Sequence, residues 1–316
     1  MVASANTRND DHASLSQFPS AAFRKALAQL ERFARDQHAT ILLEGESGTG
    51  KTILARYVHR ASPRAERPFQ RVVLSTLDDT LAGSELFGHV SGAYTDARQS
   101  RLGQFASANG GTLFLDEIGK TSLAVQQKLL HVVEYGEFRP VGADREMRVD
   151  VRLVAATNLR LEDVIAAGKF LPDLYARLTA FRVRVPALRE RRSDIPLLVQ
   201  HSLCSHAAAC GYDSPPAVDA ELMSALEHSP WPCNLRQLDA AIHRIMVDAN
   251  GADMLTLQHC EDEYLGLHKY SGSARSLTPQ RISEAIAAAG SVSGAARMLR
   301  VDRTTIHRHQ RRGGEI

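Results

Sequence analysis

Residues 45–52 read Gly-Glu-Ser-Gly-Thr-Gly-Lys-Thr, which fits the pattern GxxxxGK[ST]. Gly45, Gly48 and Gly50 permit a tight loop whose backbone N–H groups face phosphate oxygens, with Glu46, Ser47 and Thr49 between them. Lys51 reaches the outer phosphates, and the Thr52 hydroxyl can ligate magnesium. A second chemical segment follows the apolar run Thr112-Leu113-Phe114-Leu115, which ends in Asp116-Glu117. There Asp116 suits the magnesium shell, and Glu117 suits a base that orients or deprotonates an attacking water. Two acids could instead merely cap a strand; behind a phosphate-binding loop they favour hydrolysis. Thr157-Asn158, closing the run 151–156, offers hydrogen bonds to a terminal phosphate, or else only begins a loop.

These residues need strands that end where the chemistry is. Phe23, Ala26, Leu27, Leu30 and Phe33 follow helical spacing and lead into the run 40–43, expected as a buried strand. Together with runs 112–115 and 151–156, separated by helical patterns, this predicts an α/β fold: a parallel sheet with helices on both faces and its ligand site at the carboxyl ends of the strands. After Pro186 the alternation stops, and residues 194–266 show only helical patterning, broken by Gly211, Pro215-Pro216 and Ser229-Pro230-Trp231-Pro232. The expected organisation is a disordered polar tail over 1–16, an α/β unit over 17–187, an all-helical lid over 188–267, a linker of small polar residues over 268–276, and a helical block over 277–316.

The chain has 316 residues, 44% of them apolar and 23% charged, as in an ordinary globular protein. No stretch approaches a membrane span, and the N-terminus has no basic segment before an apolar core, so no leader or anchor and a cytoplasmic location are expected. Cys204, Cys210, Cys233 and Cys260 lack metal-site spacing and are expected as buried or idle thiols. The net charge of +2 is small, but from Leu277 onward seven arginines face three acids. That block reads as three short helices, the last capped by Asp302, which makes the second and third a helix-turn-helix. Arg303, Arg308, Arg311 and Arg312 suit DNA phosphates, while Thr304, Thr305 and His307 suit base edges; a solvated basic helix is the plainer alternative.

The order of motifs resembles the sigma-54-dependent activator family, whose members combine an AAA+ ATPase with a Fis-type helix-turn-helix. The most specific likeness is Ser84-Glu85-Leu86-Phe87-Gly88-His89 followed by Gly92-Ala93-Tyr94-Thr95-Asp96-Ala97, similar to the family's GAFTGA loop. The resemblance implies that 92–97 contact the sigma factor, that Arg177 in the segment 170–178 reaches the ATP of a neighbouring subunit, and that Arg236 in Trp231-Pro232-Cys233-Asn234-Leu235-Arg236 senses nucleotide from the lid. It also implies ATP and Mg2+ as cofactors, and as partners sigma-54 RNA polymerase, double-stranded DNA and further copies of the chain in a ring, by analogy a hexamer. With no sensor segment read ahead of Phe18, control would fall to expression level or to a regulator acting in trans.

Five positions depart from the family pattern. Asp96 replaces the last glycine of the loop motif, Val73 the asparagine that couples the catalytic glutamate to the loop, and Leu171 the first of two finger arginines. Thr52 stands where the family usually has Glu, and Arg300 replaces a turn glycine. Asp96 and Val73 keep a second reading open, a DNA-binding regulator whose ATPase controls only its own oligomerisation. A protein-remodelling ATPase with an incidental basic tail is disfavoured by the 84–89 and 92–97 segments.

Overall fold

A computed structural model describes residues 15–77, 79–93, 97, 99–260 and 264–265. The tail to residue 14, Tyr94, Thr95 and Asp96, the linker 268–276 and the whole block 277–316, with the DNA-contact candidates Arg303, Thr304, Thr305, His307, Arg308, Arg311 and Arg312, lie outside the described residues.

The strands in chain order are β1 (Ile41–Glu44), β2 (Phe69–Val73), β3 (Gly88–His89), β4 (Arg101–Leu102), β5 (Thr112–Asp116), β6 (Glu137–Phe138), β7 (Met147–Arg148), β8 (Arg152–Thr157), β9 (Phe181–Arg184), β10 (Ala217–Val218) and β11 (Met254–Leu255). Five of them form one sheet in the order β2-β5-β8-β1-β9, with every pair parallel. The three strands read from the sequence are the central ones. The edge strands β2 and β9 escaped that reading because polar and exposed positions interrupt them, whereas central parallel strands are apolar on both faces.

The helices of this unit are α1 (Ala21–Ala34), α2 (Lys51–Arg60), α3 (Asp79–Phe87), α4 (Gln104–Ser107), α5 (Leu123–Tyr135), α6 (Leu161–Ala166) and α7 (Pro172–Leu178). Strand alternation divides the central side chains between two cores. Ile41, Leu43, Phe114, Val154 and Ala156 pack under α1 and α2. Leu42, Leu113, Leu115, Leu153 and Ala155 pack with the aromatic trio Phe87, Phe105 and Phe138 and the apolar face of α5. Ser20 caps α1 by accepting from Phe23 N, and the fully buried Arg152 donates to the carbonyls of Phe33 and Ala34 at its other end. Leu15, assigned to the polar tail by composition, is buried in the same core as Phe18 and Phe23, so the packed chain starts earlier than its composition indicates.

The second unit packs α8 (Ile195–His206), α9 (Ala220–His228) and α10 (Asn234–Ala249) around Trp231, Leu238, Ile242 and Ile245. It is not purely helical, because β10 and β11 pair in parallel. Pro215 and Pro216 hold the backbone extended ahead of β10, and Asn250 and Gly251, both at positive φ, turn the chain back after α10 to lie beside it. All four cysteines are free, none of them fully buried.

Trp231 is the chain's one tryptophan and is fully buried in the lid core, so its emission reports on this unit. Ile242→Ala, which removes a fully buried neighbour in that core, is expected to cost about 2–5 kcal/mol and to lower the urea midpoint of Trp231 emission. An unchanged midpoint would contradict the packing described.

Candidate active site

The loop 45–50 leaves the carboxyl end of β1 and opens α2. Gly48 and Gly50 have φ of 78° and 99°, the left-handed region that glycine tolerates without cost. A Cβ on Gly48 would lie 2.2 Å from the Cys233 carbonyl oxygen, so the loop needs glycine there also to touch the lid. The contact is made of several bonds. Leu235 N donates to Gly48 O at 3.0 Å and Arg191 to Thr49 O at 3.0 Å. Asn234 Nδ2 donates to Ser47 O at 3.0 Å and to Glu46 Oε2 at 3.2 Å, while its Oδ1 accepts from Leu188 N at 2.7 Å. Arg189 pairs with both Glu46 oxygens, which holds that carboxyl below its ordinary range. Lys51 donates to the Gly45 and Glu46 carbonyls at 2.7 and 2.8 Å; burial lowers its pKa from the ordinary lysine value.

Beside this loop lies a cavity of about 240 Å³ lined by Ser47, Gly48, Gly50, Lys51, Thr52, Asp116, Glu117, Asn158, Arg236 and, unforeseen, Arg71. It gathers most of the residues the sequence marked for nucleotide chemistry. Arg236 donates to the Ser47 hydroxyl at 3.3 Å. Asn158 lines this cavity and a neighbouring one of about 430 Å³ that also includes Gly45 and Glu46. Thr157 does not line it. As the last residue of β8 it is buried, and its hydroxyl accepts from Leu159 N at 3.0 Å, a contact that shapes the turn rather than meeting a phosphate. Thr49 likewise turns inward and donates to Glu46 O. Among the described residues there is no cluster of three or more His, Cys, Asp or Glu fit to hold a metal. Thr52 and Asp116 facing one cavity still suit magnesium, which takes few protein ligands and the rest from phosphates and water.

Glu117 adopts a left-handed backbone (φ 60°), an uncommon conformation that a non-glycine residue holds only when its surroundings impose it. The neighbouring Ser75 side chain and then Lys120, whose ammonium donates to Glu117 Oε2 at 2.9 Å, hold its carboxyl below the usual range, so it is ionised at neutral pH. Val73, where the asparagine was expected, ends β2 directly opposite Asp116, and the polar partner of Glu117 comes two residues later, from the short turn 74–76. Arg177 stands apart from its own chain's cavity: it is exposed on α7 and paired with Glu134 at 2.8 Å.

The 84–89 segment builds the base of the loop at 92–97. His89 Nε2–H donates to Gln99 O at 2.9 Å, and Nδ1 shares a hydrogen bond with the Ser84 hydroxyl at 2.7 Å. Glu85 binds Arg101 at 2.8 Å, and Gly92 N donates to Ala97 O at 2.8 Å across the loop's mouth. Gly92, Ala93 and the buried Ala97 are thus placed, as the rim of the loop.

Residues 17–184 match the model of the sigma-54 interaction domain, and 189–276 that of an AAA+ ATPase lid domain. The chain belongs to the sigma-54-dependent activator family. It is 44% identical over 240 residues to the Nif-specific regulatory protein of Herbaspirillum seropedicae, covering 76% of this chain and 44% of that protein. To the anaerobic nitric oxide reductase transcription regulator NorR of Shigella flexneri it is 40% identical over 292 residues, covering 87% of this chain and 58% of that protein. The chain therefore spans about half the length of these relatives. The crystal structure of NtrX from Brucella abortus in complex with ATP matches with a TM-score of 0.71 at 32% identity, over 92% of this chain and 67% of that one. The parallel sheet and its lid are those of an AAA+ ATPase.

Within this family frame the residues that sequence reasoning missed are Arg71, Ser75, Lys120, Arg189 and Asn234. Each acts across elements, so no local spacing marks it. Asn234 was visible only as a letter in the 231–236 box, yet it is the fully buried link between loop and lid. Asn234→Asp keeps the shape and the acceptor for Leu188 but turns a carboxylate oxygen toward Glu46 and the Ser47 carbonyl. It is expected to cost about 1–3 kcal/mol near neutral pH and to lower the melting temperature. The loss should shrink as pH falls toward about 4, because a buried carboxyl facing Glu46 protonates above the ordinary aspartate range and regains a donor. A melting temperature equal to the parent's at pH 7 would count against this bridge.

Proposed function

We propose that the chain is an ATP-hydrolysing activator that assembles into a ring, remodels the sigma-54 RNA polymerase closed complex, and is held near its promoters by a DNA-binding block over 277–316. The observation that supports this best is the convergence of Lys51, Thr52, Asp116, Glu117, Asn158 and Arg236 on one cavity, together with the chain path that leads from it. From the Glu117 contact at Ser75 the backbone runs through α3 into the His89 clamp and the 92–97 loop.

In this reading the loop 45–50 and Lys51 bind the outer phosphates of ATP. Thr52 and Asp116 would hold a magnesium ion, which would supply charge neutralisation at the phosphates. Glu117, ionised and aimed by Ser75, accepts a proton from the water that attacks the terminal phosphorus. Asn158 donates to the terminal phosphate, and Arg236 reports its loss to the lid. Arg177, directed away from its own site, suits the nucleotide of a neighbouring copy, where a guanidinium would neutralise charge on the transferred group. Leu171 leaves it as the one arginine of that segment. Tyr94 and Thr95 would meet the sigma factor as the loop moves. Of the DNA-binding candidates, Arg303, Arg308, Arg311 and Arg312 would hold phosphates, with Thr304, Thr305 and His307 at base edges. A cytoplasmic location goes with this role; among the described residues no helix is long and apolar enough to cross a membrane.

Glu117→Gln is expected to keep ATP binding and lower hydrolysis about a hundredfold or more, measured as phosphate release, which in the parent should rise with protein concentration as rings assemble. Hydrolysis at the parent rate would remove Glu117 from the reaction. In vitro, the parent protein with ATP and sigma-54 polymerase should open a sigma-54 promoter, and Thr95→Ala should abolish opening while hydrolysis continues. No opening by the parent, with hydrolysis and DNA binding intact, would assign it instead to regulators whose ATPase governs only oligomerisation.

A further inference from the structure

Arg71 has no part in the reaction just described, yet it lines the phosphate cavity, and its Nη2 lies 2.8 Å from Asp116 Oδ2. The β2–β5 register explains the reach. Val73 stands opposite Asp116 and Arg71 opposite Phe114, and strand alternation puts Arg71 on the same face as Val73. Its long side chain runs along that face to the strand end, where the apolar Val73 offers Asp116 no polar partner. The two groups differ in anchorage, since the Asp116 side chain is 12% exposed and that of Arg71 41%. The carboxylate is rooted in the sheet; the guanidinium is the partner that can move.

Resting on the ATP and magnesium reading above, we propose that Arg71 is a resident counter-cation of the phosphate site: it shares the Asp116 carboxylate with the divalent cation and sets how much magnesium the site needs. One permanent positive charge then acts in two opposite senses. It attracts phosphate oxygens, so it strengthens binding of nucleotide without magnesium. It repels a divalent cation held by Thr52 and Asp116, so it raises the magnesium concentration needed to complete the site. A role confined to straightening β2 would alter stability and neither of these.

The test is titration of the full chain with a fluorescent ADP analogue, in EDTA and across a magnesium series, for the parent, Arg71→Gln and Arg71→Lys. For Arg71→Gln the expected result is about two- to fivefold weaker binding in EDTA and a half-saturating magnesium concentration about two- to fivefold lower, the scale of an ion pair this open to solvent. Arg71→Lys, which keeps the charge, should follow the parent in both, and it serves as the reading if the glutamine variant does not fold: a lysine variant unlike the parent then overturns the proposal. Changes in Arg71→Gln that do not run in these two opposite senses also overturn it. A parent protein that binds no nucleotide under either condition would remove the ATP reading itself, a distinct result.

Discussion

A backbone loop can bind phosphate only if its N–H groups are left free of internal partners, and such a loop has no ladder of its own to hold its shape. Gly45 N is tied back to the Thr157 carbonyl at 3.1 Å, and beyond it the loop is held through its carbonyls. Lys51 takes those of Gly45 and Glu46, Asn234 that of Ser47, Leu235 that of Gly48 and Arg191 that of Thr49. Three of those donors belong to the lid. With each such bond worth on the order of 1 kcal/mol, the lid contributes several kcal/mol to the loop's shape, a scale at which local opening becomes possible. The lid is therefore a structural part of the phosphate site as well as a neighbour of it.

Charge at the strand ends follows the same logic. Asp116 and Glu117 are adjacent acids with separate partners. Asp116 points to Arg71 on the neighbouring strand, while Glu117, turned by its left-handed backbone, points to Ser75 and Lys120. Two like charges next to each other in sequence thus have different cationic partners at one cavity. The strain at Glu117 is sustained by both of its partners.

The loop at 92–97 is rooted in a different way. Ser84, His89 and Gln99 form a short chain of hydrogen bonds through the ring, and Gly88, at φ 76°, lets β3 pass close to the Arg101 carbonyl. Because α3 joins this base to the turn that carries Ser75, the end of β2 and the loop are linked by one continuous piece of backbone.

The sequence by itself determined the central strands, the phosphate loop, the acids after β5, the clamp motif and the membership that the motif order implied. Each of these is a local pattern: a solid apolar run, glycines at fixed offsets, or a box of adjacent residues, and the chemistry that selects it acts over a few positions. Tertiary structure alone decided the partners. Thr157 closes β8 as a buried residue whose hydroxyl accepts from Leu159 N in its own turn. Glu117 found Lys120 from the following turn, with Ser75 nearby, and Asp116 found Arg71, two residues before Val73 on β2. Side chains from separate strands and from the lid meet only after the sheet has aligned its registers and the lid has closed on the loop, and no spacing along the chain encodes the distances that result.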